Sequence, residues 1–431
     1  VAVKILVLGS GAREHAIVLS LLSEGIEHEI SAAPGNAGIG RVVATVDLDA
    51  NDPVAVANHA ISHGIELVIV GPEAPLVAGV ADELREQGIP VFGPSREAAA
   101  LEGSKSFAKH IMEVAGVPTG RALSAGTAAD VEAALDDVGA PYVVKADGLA
   151  AGKGVIVTSE RDAAVAHAHS FLDSGSVLVE EFLDGQEVSL FFVSDGHTVV
   201  PLSPAQDFKR AGDGDTGANT GGMGAYSPLP WLDDEFGSEA DFVREVTETV
   251  AAPVIHQLAA EQTPFVGLLY AGLILTSKRD GPGDRGIRVI EFNARFGDPE
   301  TQVVLPRLAT PLSELLFAAA TGTLGTARPP RFTDSVAVTV VLASENYPAT
   351  PVTGRVIEGI VDAEAVEGVH VAHAATADRD GALVATGGRV LSVVAVAGDF
   401  AEARSRAYAA LSAISLEGSH YRSDIAARVA D

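Results

Sequence analysis

Short apolar strands alternate with helical patterns through residues 1–100, and this alternation constrains the fold more than any other feature of the chain. Val3–Leu8 reads as a strand and Arg13–Ser23 has helical spacing. Glu29–Ala32 and Leu67–Val70 are further strands, Val77–Gln87 a helix and Pro90–Phe92 a strand. Strand followed by helix, repeated, predicts a doubly wound parallel sheet with helices on both faces. Val1–Leu8 has the length of a short signal h-region. It lacks a basic leader and a small-residue cleavage site, and it runs straight into a glycine turn, so a buried first strand is expected.

From Ser104 the pattern changes to α+β. A helix over Ser104–Ala115 leads to strand Tyr142–Ala146, a glycine loop, strand Val155–Thr158, helix Arg161–Leu172, and strands Val177–Phe182 and Glu187–Ser194. Pro204–Pro230 reads as one long loop, and a loop of that length inside a domain points to function. Helix Glu239–Ala260, strands Val266–Thr276 and Ile287–Phe292, and helix Pro311–Ala320 follow. Ala327-Arg328-Pro329-Pro330 is a linker candidate. Strands Ser335–Ala343 and Arg389–Ala397 and helix Phe400–Ile414 make a small β-rich C-terminal domain. The expected division is 1–103, 104–326 with a lid at about 120–188, and 327–431.

A formal net charge of −29 repels phosphate backbones, so nucleic acid is not an expected partner. The acidity reads as a solvated surface. The chain has no cysteine, which fits a reducing cytoplasm. No apolar run approaches the ~18 residues of a membrane span, so no membrane contact is expected. Seven lysines remain against this acidic background. Four of them, Lys105, Lys145, Lys153 and Lys209, stand in glycine-rich or polar loop contexts and are candidates for binding an anion.

The turn Gly9-Ser10-Gly11-Ala12-Arg13-Glu14 follows a strand and opens a helix, where backbone N–H groups meet anions. A dinucleotide site fits poorly. Glu14 replaces the third glycine, and the second strand ends in Ala33-Pro34-Gly35-Asn36 without an acidic residue for a ribose. A smaller phosphorylated ligand and a purely structural turn remain. Pro34-Gly35-Asn36 and Gly71-Pro72-Glu73 fall at the C-terminal ends of neighbouring strands, the ligand edge of such sheets.

The sharpest local signal is Val143-Val144-Lys145 followed by Gly152-Lys153-Gly154. A strand delivers one lysine, and a loop of small residues carries another that can fold over phosphates. No Gly-Lys-Ser/Thr opens a helix, so this is not a P-loop. Val179-Glu180-Glu181-Phe182-Leu183-Asp184-Gly185-Gln186-Glu187 offers backbone groups for an adenine edge and carboxylates for ribose hydroxyls; an exposed acidic turn is the plainer alternative. In the run Val289-Ile290-Glu291-Phe292-Asn293, read as a strand, Glu291 and Asn293 share a face. Two oxygen ligands on one face suit Mg²⁺, which also needs phosphates and water. Arg295 keeps that parity and is placed to hold a transferring phosphoryl group.

These elements, in this order, resemble the ATP-grasp superfamily, in which two α+β lobes clamp ATP and an acyl phosphate is passed to an amine. The resemblance is closest to the phosphoribosylamine–glycine ligase family (glycinamide ribonucleotide synthetases). It is carried by Gly9–His15, Ala33–Gly38, Val70–Leu76, Leu101–Lys105, Lys209-Arg210 with Gly212–Gly217, and the highly specific Asn219–Pro228, and it spans residues 3 to about 428. It implies that ATP, glycine and 5-phosphoribosylamine give glycinamide ribonucleotide, ADP and phosphate in de novo purine synthesis. It further implies that Lys105 and Lys145 hold ATP phosphates beneath the loop of Gly152, Lys153 and Gly154. Glu180, Glu181, Leu183 and Glu187 frame adenosine, and Glu291 and Asn293 bind Mg²⁺ or Mn²⁺. Phosphoribosylamine falls to Gly9, Ser10, Gly11, Glu14, Gly35, Asn36, Pro72, Glu73, Lys209, Arg210 and Asp213. Arg295, Lys153 and Asp298 lie at the reacting groups. A cytoplasmic monomer is implied, with transient contact to the enzyme that supplies the unstable amine.

The chain departs from the family pattern in four places. Phe208 stands where the family has His, and Ala218 where it has Pro. The segment between Leu172 and Val177 lacks the usual glycine-containing insertion. Tyr270–Leu275 offers no acidic metal ligand. Two other readings compete: an ATP-grasp ligase for another carboxylate or amine, and a nucleotide-binding regulatory module without turnover. The intact set of Lys145, Lys153, Glu291, Asn293 and Arg295 speaks against the second.

Overall fold

A computed structural model of the chain describes residues 2–148 and 154–430. The first unit runs β1 (Lys4–Gly9), α1 (Ala12–Ser23), β2 (Glu29–Pro34), β3 (Ala44–Thr45), α2 (Pro53–His63), β4 (Leu67–Val70), α3 (Glu73–Ala78), α4 (Val80–Glu86), β5 (Val91–Phe92) and α5 (Arg96–Gly103). The strands form one parallel sheet in the order β3-β2-β1-β4-β5. β1 is central and apolar, with Ile5 to Leu8 fully buried, as a strand covered on both faces must be. The helix expected at Val77–Gln87 is two helices, because Gly79 turns left-handed (φ +89) and ends α3 before α4 begins. Helix α2 was not read from the sequence, although Asp52 caps it and Pro53 opens it.

Helix α6 (Lys105–Ala115) enters the next unit, with the Ser104 hydroxyl capping Phe107 N–H. Then come β6 (Ala122–Ala125), α7 (Ala128–Val138), β7 (Tyr142–Ala146), β8 (Val155–Thr158), α8 (Arg161–Leu172) and β9 (Val177–Glu181). They form an antiparallel sheet, β6-β9-β7-β8, on its own small core of Val131, Leu135, Val144, Ala164, Val177 and Val179. A second antiparallel sheet, β11-β10-β16-β17, is built from β10 (Gln186–Asp195), β11 (Val199–Pro201), β16 (Val266–Leu275) and β17 (Ile287–Asn293). The two sheets are the two lobes of the clamp.

Pro204–Pro230 is not a single loop. It holds four short strands: β12 (Gln206–Asp207), β13 (Arg210–Gly212), β14 (Thr216–Asn219) and β15 (Gly224–Ser227). β12 and β15 extend the C-terminal sheet, whose order is β12-β15-β18-β22-β19, with β18 (Val336–Ala343), β19 (Val369–His373) and β22 (Arg389–Ala397); β20 (Thr376–Arg379) and β21 (Ala382–Ala385) form a separate hairpin. The sequence signal is weak because these strands are only two to four residues long; pairing to β18 fixes β15, β15 in turn holds β12, and β13 and β14 pair with each other. The expected helix Glu239–Ala260 is interrupted by a π-turn at Thr247–Ala251. Among the described residues no helix is long and apolar enough to cross a membrane.

Candidate functional site

The cleft between the two antiparallel sheets gathers most of the charged residues singled out above. β7 delivers Lys145, whose ammonium lies 2.8 Å from Glu180 Oε2 and donates to the Ile290 carbonyl at 3.2 Å. This bond links the β6-β9-β7-β8 sheet to β17. Lys109 approaches the other oxygen of Glu180 at 3.6 Å. Lys109 lies one helical turn after Lys105 on α6, a spacing that places both on one face, so the sequence carried a signal for it that went unused. The Glu181 carboxylate is claimed by Lys278 at 2.5 Å and by the Arg121 N–H at 2.8 Å. Leu183 lies against Gly120, where an added Cβ would come within 3.3 Å of its Cδ1. Gly152 and Lys153 lie outside the described residues; the Gly154 carbonyl accepts from Ala146 N–H at 2.8 Å, closing the β7–β8 end.

Lys105 is held by its backbone. Asp147, two residues after Lys145, accepts from the Lys105 N–H at 2.7 Å and from the Ser106 hydroxyl at 2.6 Å. Burial opposes ionisation of Asp147, but these hydrogen bonds outweigh it and keep the carboxyl below its usual range. The start of α6 is thereby tied to the end of β7.

Glu291 and Asn293 sit on β17 with Phe292 turned to the core between them. Gly272 of β16 lies opposite Glu291, and a Cβ there would stand 3.1 Å from Glu291 Cγ. Room for the carboxylate explains a glycine on β16 where an acid was looked for. Burial works against the Glu291 charge, but Lys209, Lys145, Lys105 and Arg295 outweigh it and hold the carboxyl low. Lys209 is paired with Glu187 at 2.6 Å. Burial opposes its charge, yet Glu187 and Asp207 keep the ammonium well above its usual range. Burial pushes the neighbouring Asp207 up to about 7, with Lys209 opposing and Glu300, Glu187 and Glu291 adding to the rise. Phe208 points the other way, with the Arg422 guanidinium 4.9 Å from its ring. The family histidine is thus replaced by an apolar stack behind the cleft.

β17 ends at Asn293, yet Arg295 stays on the Asn293 side, with Nη2 3.5 Å from Asn293 Oδ1. Its guanidinium meets Glu102 at 2.9 Å and Glu73 at 3.5 Å. Burial opposes its charge, but Glu102 and Glu73 raise its pKa further. Asp298 pairs with Arg389 of β22 at 3.3 Å and accepts from Gln302 at 2.8 Å. Arg389 also donates to the Asp298 carbonyl at 2.8 Å and the Gly221 carbonyl at 2.6 Å. Neither Glu102 nor Arg389 was assigned a role from the sequence, since their partners are distant in the chain.

The glycine turn of the N-terminal sheet lies beside this cleft. Gly9 needs its freedom: φ is +130, and a Cβ would strike Glu14 Cγ at 2.5 Å. The buried Glu14 carboxylate fills the turn, accepting from Gly11 N–H at 2.6 Å and Arg13 Nε at 2.5 Å. The Gly11 N–H is therefore spent on Glu14. Asn36 Nδ2 donates to Ser10 O at 2.9 Å and His373 O at 2.7 Å, so its side chain is a strut between the first and last domains. Pro72 precedes α3, which begins at Glu73. A hollow of about 480 Å³ lies over the turn, lined by Ser10, Gly11, Gly35, Asn36 and Asp298 and, from the C-terminal domain, Thr376, Thr386 and Arg389. A larger hollow of about 630 Å³ is lined by Asp184, Gly185 and Gln186, from the segment expected at the adenosine, and by Arg279, Asp284 and Arg285; Glu180, Glu181, Leu183 and Glu187 do not line it.

Arg210 and Asp213 are held from behind. Arg210 Nη1 donates to Gly217 O at 2.8 Å. Asp213 accepts from the Ser423 N–H at 2.8 Å and from its hydroxyl, while Arg422 reaches Asp215 at 2.7 Å.

Comparison with known proteins agrees with this geometry. The family models described as Phosphoribosylglycinamide synthetase match in three pieces: the N domain over residues 3–102, the ATP-grasp (A) domain over 103–301 and the C domain over 337–428. A phosphoribosylamine–glycine ligase of Leifsonia xyli is 67% identical over 428 residues, covering 99% of this chain and 100% of that one. One from Streptomyces coelicolor is 58% identical, covering 99% of each. The crystal structure of the Thermotoga maritima phosphoribosylamine–glycine ligase superposes with a TM-score of 0.82 at 32% identity, over 98% of this chain and 100% of that chain. A biotin carboxylase from Campylobacter jejuni, with a TM-score of 0.70 at 14% identity over 99% of this chain and 98% of that one, shares the fold. Two antiparallel sheets closing on a lysine-rich cleft, a glycine turn beside it and family matches along nearly the whole chain lead to one assignment: this protein belongs to the phosphoribosylamine–glycine ligase family of ATP-grasp enzymes.

Proposed function

We propose that this ATP-dependent ligase of purine biosynthesis joins glycine to 5-phosphoribosylamine through a glycyl phosphate. The observation that carries this reading is that β17 receives cations on both sides of Glu291: Lys145 of β7 reaches the Ile290 carbonyl at 3.2 Å, and Arg295 Nη2 stands 3.5 Å from Asn293 Oδ1. A carboxylate oxygen of glycine attacks the γ-phosphorus of ATP, and the bond to ADP breaks. The amine nitrogen then attacks the acyl carbon, and phosphate leaves with that glycine oxygen as the amine loses a proton. No protein nucleophile is needed, so positioning and charge neutralisation supply the rate.

In this reading Lys105 and Lys145 hold the ATP phosphates under the loop of Gly152, Lys153 and Gly154. Glu180, Glu181, Leu183 and Glu187 frame the adenosine. Arg295 and Asp298 flank the glycyl phosphate. Gly9, Ser10, Gly11, Glu14, Gly35, Asn36, Pro72, Glu73, Lys209, Arg210 and Asp213 make the phosphoribosylamine side. Glu291 and Asn293 fit a divalent cation, Mg²⁺ or Mn²⁺, through two oxygens on one face. Among the described residues no group of three or more His, Cys, Asp or Glu could hold a metal, so a cation held by Glu291 and Asn293 would also need oxygens from phosphates and water. A cation there neutralises charge on the phosphates. We place the domains at 1–103, 104–326 and 327–431 and read the enzyme as a cytoplasmic monomer that receives its unstable amine from the enzyme that makes it.

The test is ADP release that requires both glycine and freshly made phosphoribosylamine. With glycine labelled by ¹⁸O in its carboxylate, one label is expected in the released phosphate per turnover. Label retained wholly in the product removes the glycyl phosphate.

A further inference from the structure

The Glu102 carboxylate grips Arg295 in two ways. Oε1 lies 2.9 Å from Arg295 Nη2, and Oε2 accepts from the Ala294 N–H at 2.7 Å. One side chain fixes both the guanidinium and the peptide unit that carries it. Glu102 stands in α5, at the end of the N-terminal unit, so the grip reaches across to the end of β17. Its side chain is 8% exposed. Glu73 behaves differently. It is 40% exposed and stands 3.5 Å from Arg295 Nε, which is buried and without a hydrogen-bond partner among the described residues. A guanidinium is rigid and planar, so fixing Nη2 also fixes the direction of the Nε–H beside it. A buried donor without a partner costs free energy unless something else occupies it.

We propose that Glu102 is a positioning residue for the ligase reaction: it holds Arg295 beside Asn293 so that the unpartnered Nε–H meets the anion formed as the glycine carboxylate takes the phosphoryl group. The inference rests on the role proposed above for Arg295. Glu73 is the loose counter-ion that this anion displaces. A merely structural bridge between domains is the rival, and it predicts different kinetics.

E102Q keeps the shape of the side chain but presents one acceptor to two donors. Its kcat is expected to fall about 10- to 100-fold, the scale for removing a group that orients a reacting one, with KM for ATP changed less than about 3-fold. In an R295K background the same substitution is expected to cost less than about 3-fold, because both act through one group. Should E102Q not fold, E102D replaces it; the aspartate keeps the charge but is too short to span both partners, and the same criteria apply. Full kcat with a lowered Tm, or losses that multiply in the double variant, overturns the inference. The wild-type reaction separates the two ideas. If wild type lacks glycine-dependent ADP release, both fall; if it has that activity and the Glu102 variants keep kcat, only this inference falls.

Discussion

Lys145 and Glu180 are diagonal partners on the neighbouring antiparallel strands β7 and β9, and the ammonium reaches Glu180 Oε2 at 2.8 Å. Lys109 stands 3.6 Å from the other oxygen. Lys145→Ala therefore removes the closer of two cations and leaves the buried carboxylate partly compensated. ATP affinity is expected to fall by about 1.5–3 kcal/mol, the scale of a hydrogen bond to a charged group. Lys153→Ala is expected to act differently, lowering kcat with ATP affinity changed less than about 3-fold, because a group that engages late is felt in the transition state. Calorimetric ATP titration and steady-state kinetics on both variants check this. Equal loss of ATP affinity in both, with turnover at saturation intact in the Lys153 variant, makes the loop a static clamp.

Lys145 and Glu180 were each legible in the sequence, and their contact was not. β7, β8, α8 and β22 were legible to the residue, because those segments carry their own periodicity and end at residues that stop it. Glu291 and Asn293 were legible as a pair because strand parity alone places them on one face. Glu102 and Arg389 were not, since their roles come from Arg295 and Asp298, far away in the chain. β12 and β15 escaped because so few residues carry no period of their own. Glu14 was read as a departure from a dinucleotide turn; only its bond to the Gly11 N–H shows it filling that turn.

Glu291→Ala tests the metal site. Gly272 lies opposite it on β16 and offers no side chain to pack on, and the charges of Lys209, Lys145, Lys105 and Arg295 act on its carboxylate, so little apolar packing is lost with it. Turnover is expected to fall at least about 100-fold, the scale of losing a charge-stabilising group, with Tm close to wild type. The measurement is kcat across a Mg²⁺ titration, with a thermal melt as control. Near-wild-type turnover at saturating Mg²⁺ removes Glu291 from the site.

Gly11→Val probes the glycine turn. A Cβ at this position would stand 2.8 Å from Glu14 Oε2 and 3.8 Å from Asp298 Oδ2. The branched side chain therefore displaces the carboxylate that fills the turn and intrudes on the hollow above it. KM for phosphoribosylamine is expected to rise more than about 10-fold, the equivalent of 1.4 kcal/mol or more. Affinity for ATP should change little, because Lys105 and Lys145 lie in another unit. Collapse of ATP binding with phosphoribosylamine binding intact would mean the two sites are assigned in reverse.

The interface between α1 and β19 should make stability depend on pH. His15 Nδ1 accepts from the His373 N–H at 2.8 Å, and the two rings meet edge to face at 5.6 Å. Burial pushes His15 down to about 3, with His373, His370 and Arg41 adding to the shift. Burial likewise lowers His373 to about 4, helped by Arg41 and opposed by Asp378, and it lowers His370 to about 4. A histidine depressed in the folded state binds its proton first in the unfolded state. Stability from these groups is thus full above about pH 7.5 and is lost as pH falls through about 6.5 towards 4. The limiting slope is about 1.4 kcal/mol per pH unit for each histidine. Most carboxylates join the titration lower down, and Asp207, raised to about 7, opposes the three histidines with a single proton, so pH 6.5 to 5 is the window to measure. Chemical denaturation across that window is expected to show falling stability, and His15→Asn, which keeps an acceptor near Nδ1 and removes one proton site, should make the slope shallower. An unchanged slope in that variant would exclude His15 as a source of the acid sensitivity.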